Sequence, residues 1–194
     1  MHRGENSTTA SLAIKSRLVP SRHNLPDSLD PVLQRILSAR GVLTSDDLDI
    51  TLSRLESFDS LRHIQIGAGL IRDCIVSGGK IMIIGDYDAD GATSIAVAIR
   101  ALRAMGAKDV DYLVPNRFNF GYGLTPEIVE VAQSYEPDLI VTVDNGISAV
   151  EAAKKLQEKG IDLIITDHHT VGEQLPPAIA IVNPKQADCN FEFK

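Results

Sequence analysis

The sequence is short of cysteine, of long apolar runs and of positive charge, and each shortage removes a class of protein. Cys74 and Cys189 are the only cysteines among 194 residues. They lack metal-type spacing, which argues against a thiolate zinc cluster or a disulfide framework and fits a reducing compartment. Each is expected to be a small, partly buried residue. No apolar run approaches the roughly 18 residues that cross a bilayer. The opening stretch "MHRGENSTTASLAIKSRLVP" has no continuous hydrophobic core of the signal-peptide type, so the expectation is a soluble, cytoplasmic protein without membrane contact. Basic residues are outnumbered, and the net charge is −7. Residues 1–79 are balanced, whereas residues 80–194 hold seventeen acidic against ten basic side chains. That is not the basic stripe of a protein that grips nucleic acid through phosphate contacts alone. Either no polyanion binds, or cations gathered by the carboxylates, with a few placed basic residues, reverse the local field. Internal repeats and low-complexity tracts are also lacking.

What is present can bury a core: 44% of the residues are hydrophobic. Residues 1–79 read as a loose arm followed by a helical lead-in. In "DPVLQRILSARG", Asp30 stands as N-cap, Pro31 at the first helical position and Gly41 just past the end. "LTSDDLDI" and "SLRHIQIGAGLIRDCIVSGG" continue as helical, the second stopping at a Gly-Gly break. From Lys80 the pattern alternates. "KIMIIGD", "VDYLVP", "DLIVTVD", "DLIITD" and "AIAIVN" are short apolar runs of the kind buried on both faces of a parallel sheet. Between them, "GATSIAVAIRALRAMG", "TPEIVEVAQSY" and "SAVEAAKKLQEKG" read as helices. Thr125 with Pro126 and Glu127 marks one start, and Ser148 with Glu151 forms a capping box. Lys154, Lys155 and Lys159 suit the C-terminal end of the last helix. The fold class is therefore α/β: an open, mainly parallel five-stranded sheet with helices on both faces, preceded by a short helical N-terminal region.

In such sheets, ligands sit outside the carboxyl ends of the strands. The first strand delivers Asp86, Asp88 and Asp90 there, the third Asp144, and the fourth Asp167, His168 and His169. One strand-end aspartate is as readily a helix cap as a functional group. Three strand ends converging with carboxylates and imidazoles are a different matter, and three like charges two residues apart ask for a positive species among them. Hard oxygens with imidazole suit Mn²⁺ or Mg²⁺. So many acids suggest two ions about 3.5–4 Å apart, an arrangement that serves phosphoryl displacement. An EF-hand loop is excluded, because its twelfth position here is Val97 and a strand, not a helix, precedes it. A haloacid-dehalogenase-type D-x-D nucleophile leaves the histidines unexplained. A dinucleotide fingerprint fails as well, since "GAGLIR" at 67–72 has Arg72 where the third glycine belongs.

"GDYDADGATS", "VTVDNGIS" and "ITDHH" resemble the first three motifs of the DHH phosphoesterase family. "YLVPNRFNFGYGL" is similar to its RecJ-type single-strand-specific exonucleases, and the likeness runs from about Lys80 to Phe191. The resemblance implies a two-metal site. Asp88 and Asp90 would serve different ions, Asp144 would bridge them, and His168 would bind the ion shared with Asp90. Asp86 would be a ligand or an acceptor just outside the ligand set. His169 would face the scissile phosphate, and Asp167 would orient a histidine, so that His169, Asp144 and Asp167 carry the catalysis. One departure is Ile84, where some relatives place a metal-binding histidine.

Arg117 can clamp a phosphate, and Phe118, Phe120 and Tyr122 offer stacking faces for unpaired bases, although the phenylalanines could equally pack a loop. Arg100 and Arg103 read as solvated, and His2, His23 and His63 as structural or exposed. The resemblance implies a Mn²⁺- or Mg²⁺-dependent phosphodiesterase that degrades single-stranded DNA from the 5′ end in recombination and repair. The partners expected with it are a single-strand-binding protein and a helicase. Rival readings are a phosphodiesterase of oligonucleotides or cyclic dinucleotides, and a noncatalytic remnant. Asp188 comes too early to be the family's fourth-motif ligand, so residues 80–194 are expected to be a catalytic domain incomplete at its C-terminal end.

Overall fold

The structure, a computed structural model, describes residues 15–20 and 24–191. Most of the N-terminal arm, with His2 and His23, lies outside the described residues. The chain divides into two units between Leu55 and Glu56. In the first, helix α1 (Pro31–Ser38) starts where Asp30 accepts the Val32 amide at 2.8 Å. The expected helix over "LTSDDLDI" is only a single 3-10 turn, Asp46–Leu48. Asp47 causes the difference: its carboxylate accepts the Leu43 and Thr44 amides at 2.9 and 2.8 Å, and such side-chain bonds compete with a helix.

The second unit holds α2 (Ile64–Ser77), β1 (Ile81–Ile84), α3 (Ala89–Ala104), β2 (Val110–Leu113), α4 (Arg117–Phe120), α5 (Pro126–Gln133), β3 (Leu139–Val143), α6 (Val150–Glu158), β4 (Asp162–Thr166) and β5 (Ala180–Val182). The five strands are all parallel, in the order β2-β1-β3-β4-β5. Each falls inside one of the apolar runs. β1 and β3 are buried along their whole length, which is why those runs carry no polar alternation.

Alternate residues of the strands feed two cores. Ile81, Ile83, Val141 and Ile164 face a layer that includes Ile71 of α2 and Ile95 and Leu102 of α3. Met82, Ile84, Ile140 and Ile165 face a layer made by α5 and α6 through Ile128, Val129, Ala152 and Leu156. Each fully buried Ile or Leu contributes about 1.5–3 kcal/mol relative to exposure. The helix Ile64–Ser77, read from sequence as lead-in, thus packs on the sheet. His63 stays out of it with φ +61, and its Nδ1 accepts the Ile181 amide at 3.2 Å.

Thr125 caps α5, accepting the Ile128 amide at 3.3 Å. The capping box at Ser148 does not form. α6 begins at Val150 without a side-chain cap, because residues 147–149 make a tight turn in which the Ala149 amide bonds to Gly146 O. Glu151 pairs with Lys154 instead, at 2.8 Å. Lys155 and Lys159 tie α6 to Glu130 of α5, at 2.8 and 3.4 Å. No described helix is long and apolar enough to cross a membrane.

From β1 the chain moves outward to β2, then returns to the other side of β1 to make β3. The winding direction reverses between β1 and β3, and ligand crevices open at such a point on the carboxyl edge.

Candidate metal centre

Asp86 follows β1 and Gly85. It is 2% exposed, and its Oδ1 accepts the Tyr87 amide at 2.8 Å. Asp88 caps α3, accepting the Gly91 amide at 3.0 Å, so one carboxylate oxygen performs the ordinary capping duty. The first turn of α3 lies so tightly on Asp86 that a Cβ at Gly91 would come within 2.3 Å of its carbonyl oxygen. Glycine there is what lets Asp86 and Asp88 share one corner. Asp90, in that turn, is exposed and lines a cleft with Asp144, Asp167 and His168.

Asp144 ends β3 in the left-handed region, φ +63, which Asp and Asn tolerate better than other side chains. Its amide donates to Thr166 O at 3.0 Å, which anchors it to β4. The side chain is only 6% exposed. Burial raises its carboxyl above the ordinary range and nearby Asp88 adds to that, while the bond with His168 opposes both.

Asp167, after β4, has a side chain 1% exposed and ringed by N–H donors. Its Oδ2 accepts the Ile147 amide at 2.8 Å; its Oδ1 accepts the amides of His168 at 2.7 Å and His169 at 3.0 Å. The same oxygen meets His169 Nδ1 at 2.7 Å. Nδ1 faces a carboxylate and therefore carries hydrogen, which leaves Nε2 turned to the centre as the free nitrogen. His168 approaches from the neighbouring position with Nε2 2.9 Å from Asp144 Oδ1. The two rings lie 4.7 Å apart.

Two groups of donor atoms result, each with all members within 4.8 Å of one another: Asp86, Asp88 and Asp144, and Asp144, His168 and His169. Asp144 belongs to both. Oxygen-rich donors with imidazole, gathered within such a short reach, fit hard divalent cations such as Mn²⁺ or Mg²⁺. Among the described residues Asp90 joins neither group, whereas His169, expected to face phosphate, stands with the candidate ligands.

The expected substrate residues are placed unevenly. Arg117 opens α4, and its side chain lies outside the described residues, as does that of Asn119. Phe118 is 90% exposed. Phe120 turns inward onto the α5–α6 core, so the bland alternative of packing a loop holds there. Tyr122 points its hydroxyl into the centre, 3.3 Å from His169 Nε2 and 3.4 Å from Asp144 O. Burial, then Asp86, Asp144 and Asp167, push that phenol well above its usual pKa. Asn145, read from sequence only as part of a turn, proves to be buried beside Asp144. Arg103 is exposed, as expected, and one arm of its guanidinium also donates to Val110 O at 3.4 Å.

The chain is 40% identical to the single-stranded-DNA-specific exonuclease RecJ of Escherichia coli over 183 residues, 94% of this chain and 32% of that protein. It is 44% identical to the RecJ of Haemophilus influenzae over 181 residues, 93% of this chain and 31% of that protein. It thus spans about a third of the length of the curated relatives it matches. Among solved structures, an exonuclease RecJ bound to manganese superposes with a TM-score of 0.63 at 36% identity, covering 69% of this chain and 34% of that one. RecJ of Thermus thermophilus in complex with Mn²⁺ gives 0.60 at 34% identity, covering 80% of this chain and 22% of that one. Residues 80–191 match the family model described as the N-terminal domain of the DHH family. That span takes in every acid and histidine of the two donor groups, and the chain belongs to the DHH family.

Proposed function

We propose that this chain is the catalytic portion of a two-metal phosphodiesterase that removes nucleotides from the 5′ end of single-stranded DNA, in recombination and repair. The observation that carries the reading is Asp144, one carboxylate common to two adjoining sets of donors. Asp86, Asp88 and Asp144 would hold one divalent cation, and Asp144, His168 and His169 the other, with Asp90 bordering the second. When bound there, Mn²⁺ or Mg²⁺ supplies Lewis acidity toward phosphoryl oxygens and lowers the pKa of water.

The chain's own groups do the rest. Asp167 holds Nδ1 of His169, which would keep the free Nε2 of that ring turned to the second cation position. The Tyr122 hydroxyl donates to the Asp144 carbonyl beside His169 Nε2, and would turn that one hydrogen to an incoming phosphate oxygen. Arg117 would neutralise phosphate charge, and exposed Phe118 would stack on a base. The single-strand preference and the exonuclease activity are named for the RecJ relatives; the 5′ polarity, and a single-strand-binding protein and a helicase as partners, go with the same reading, as does a cytoplasmic location. Residues 80–194 would then be the catalytic module, matched to about a third of the length of the RecJ relatives.

The test is digestion of 5′-labelled single strands with and without Mn²⁺, by this chain and by a version extended downstream, with Asp144→Ala as control. Mn²⁺-dependent release of labelled mononucleotide, absent from the control, is the expected result. An inert extended protein that also binds no Mn²⁺ would overturn the proposal in favour of the noncatalytic remnant.

A further inference from the structure

The ladder between β1 and β3 ends at the pair Ile84 and Thr142. Beyond it the two backbones must part to make the crevice, yet Asp86 and Asp144 have to stay within one donor group. Asn145 supplies the missing link. It is 1% exposed, and its Nδ2 donates to Ile84 O at 3.1 Å and to Val143 O at 2.9 Å. Its Oδ1 accepts the Leu124 amide at 3.1 Å. A single amide therefore joins the ends of β1 and β3 to the loop that carries Tyr122.

The side chain has both polarities where both are needed. Two carbonyls face its donor and one N–H faces its acceptor, a pattern that neither aspartate nor leucine of similar shape satisfies. Its own carbonyl is fixed by Thr142 Oγ1, which donates at 2.8 Å. The loop also presses on it closely: a Cβ at Gly123, φ +64, would lie 3.1 Å from Asn145 Cβ.

We propose, on the basis of the phosphodiesterase reading, that Asn145 is a positioning residue of the centre. It sets the separation of Asp86 from Asp144, which lets the two cation groups share a carboxylate, and it locks the Tyr122 loop to the same point. It acts through Asp144 and Tyr122 and touches neither cation nor substrate.

The test compares Asn145→Ala with Ile140→Val, a core change that lowers stability without touching these bonds. Mn²⁺ affinity of the chain is read from the paramagnetic resonance of free ion, and loop locking from hydrogen exchange of the Leu124 amide in cation-free protein. Asn145→Ala is expected to weaken Mn²⁺ binding by about 10- to 100-fold, the range for groups that orient metal ligands, and to speed Leu124 exchange at least about tenfold relative to β3 amides. Ile140→Val should leave both within about twofold. Unchanged Mn²⁺ affinity in Asn145→Ala, or an equal loss in Ile140→Val, overturns the proposal. Should Asn145→Ala fail to fold, Gly123→Ala, which pushes the loop off Asn145 from the other side, is read by the same two measurements against the same thresholds. If the unsubstituted chain binds no Mn²⁺, it is the phosphodiesterase reading that falls; Leu124 exchange then decides the positioning role, with faster exchange upholding it and unchanged exchange overturning it.

Discussion

His168 Nε2 lies 2.9 Å from Asp144 Oδ1, so an imidazole from the end of β4 rests on a carboxylate from the end of β3. The acid is shared by both donor groups, and burial already keeps its carboxyl reluctant to ionise. Asp144→Asn, which keeps a side chain that tolerates the left-handed backbone, should therefore remove a charge that is costly in cation-free protein but indispensable once cations bind. The expected outcome is a cation-free melting temperature at or above that of the unsubstituted chain, with its rise on adding Mn²⁺ abolished. Calorimetry with and without the ion measures both.

Asp167 is a different kind of acid. Four bonds from Ile147, His168 and His169 converge on a side chain with almost no solvent contact. Asp167→Asn turns an NH₂ toward at least one of these donors and leaves it unpaired. A loss of about 2–4 kcal/mol in unfolding free energy by urea titration is expected, since unsatisfied buried groups cost roughly 1–3 kcal/mol and more when a charge is involved. Loss of the Nδ1 proton acceptor should also lower Mn²⁺-dependent turnover in the extended protein beyond what stability explains.

Gly123 combines a left-handed backbone with close approach to Asn145. Gly123→Ala should cost about 1–2 kcal/mol from the backbone alone. Because the strain falls between Tyr122 and Leu124, the near-ultraviolet tyrosine signal should change more than far-ultraviolet dichroism.

Phe118→Ala separates binding from folding. The ring is almost fully exposed, so melting should shift little. If it stacks on a base, affinity of the extended protein for a single strand should fall by about 1–3 kcal/mol, as read by fluorescence anisotropy.

In the N-terminal unit, Asp47 accepts the Leu43 and Thr44 amides, and these bonds hold its carboxyl below the ordinary value. A depressed acid contributes stability above its unfolded pKa, about 3.9, and that contribution disappears as pH falls through the lower folded value. Leu43 and Thr44 amides should lose protection from exchange on acidification below about pH 4, relative to Asp47→Asn, in which nothing titrates.

The sheet was legible because strands buried on both faces cannot hide: Ile81–Ile84 and Leu139–Val143 have no polar side chain except Thr142, whose hydroxyl bonds internally. Strand ends alone bring Asp86, Asp88, Asp144, His168 and His169 together, but they do not separate these from Asp90, which joins neither donor group among the described residues. Helix boundaries were less readable, since Asp47 and the turn at 147–149 satisfy backbone groups by bonds that periodicity does not register. Phe120 could not be told from Phe118 by type, only by which side of a four-residue helix faces the core. Asn145 looked like turn punctuation because two of its three partners, Ile84 and Leu124, lie on segments remote in the sequence.

The seam between β1 and β3 lies inside the sheet, with a neighbouring strand on either flank. The edges of the sheet are β2 and β5. The polypeptide has thus mounted its mutually repelling acids on strands inside its framework, so that, on the proposed reading, their repulsion would be relieved by capturing counter-charge and not by relaxing apart.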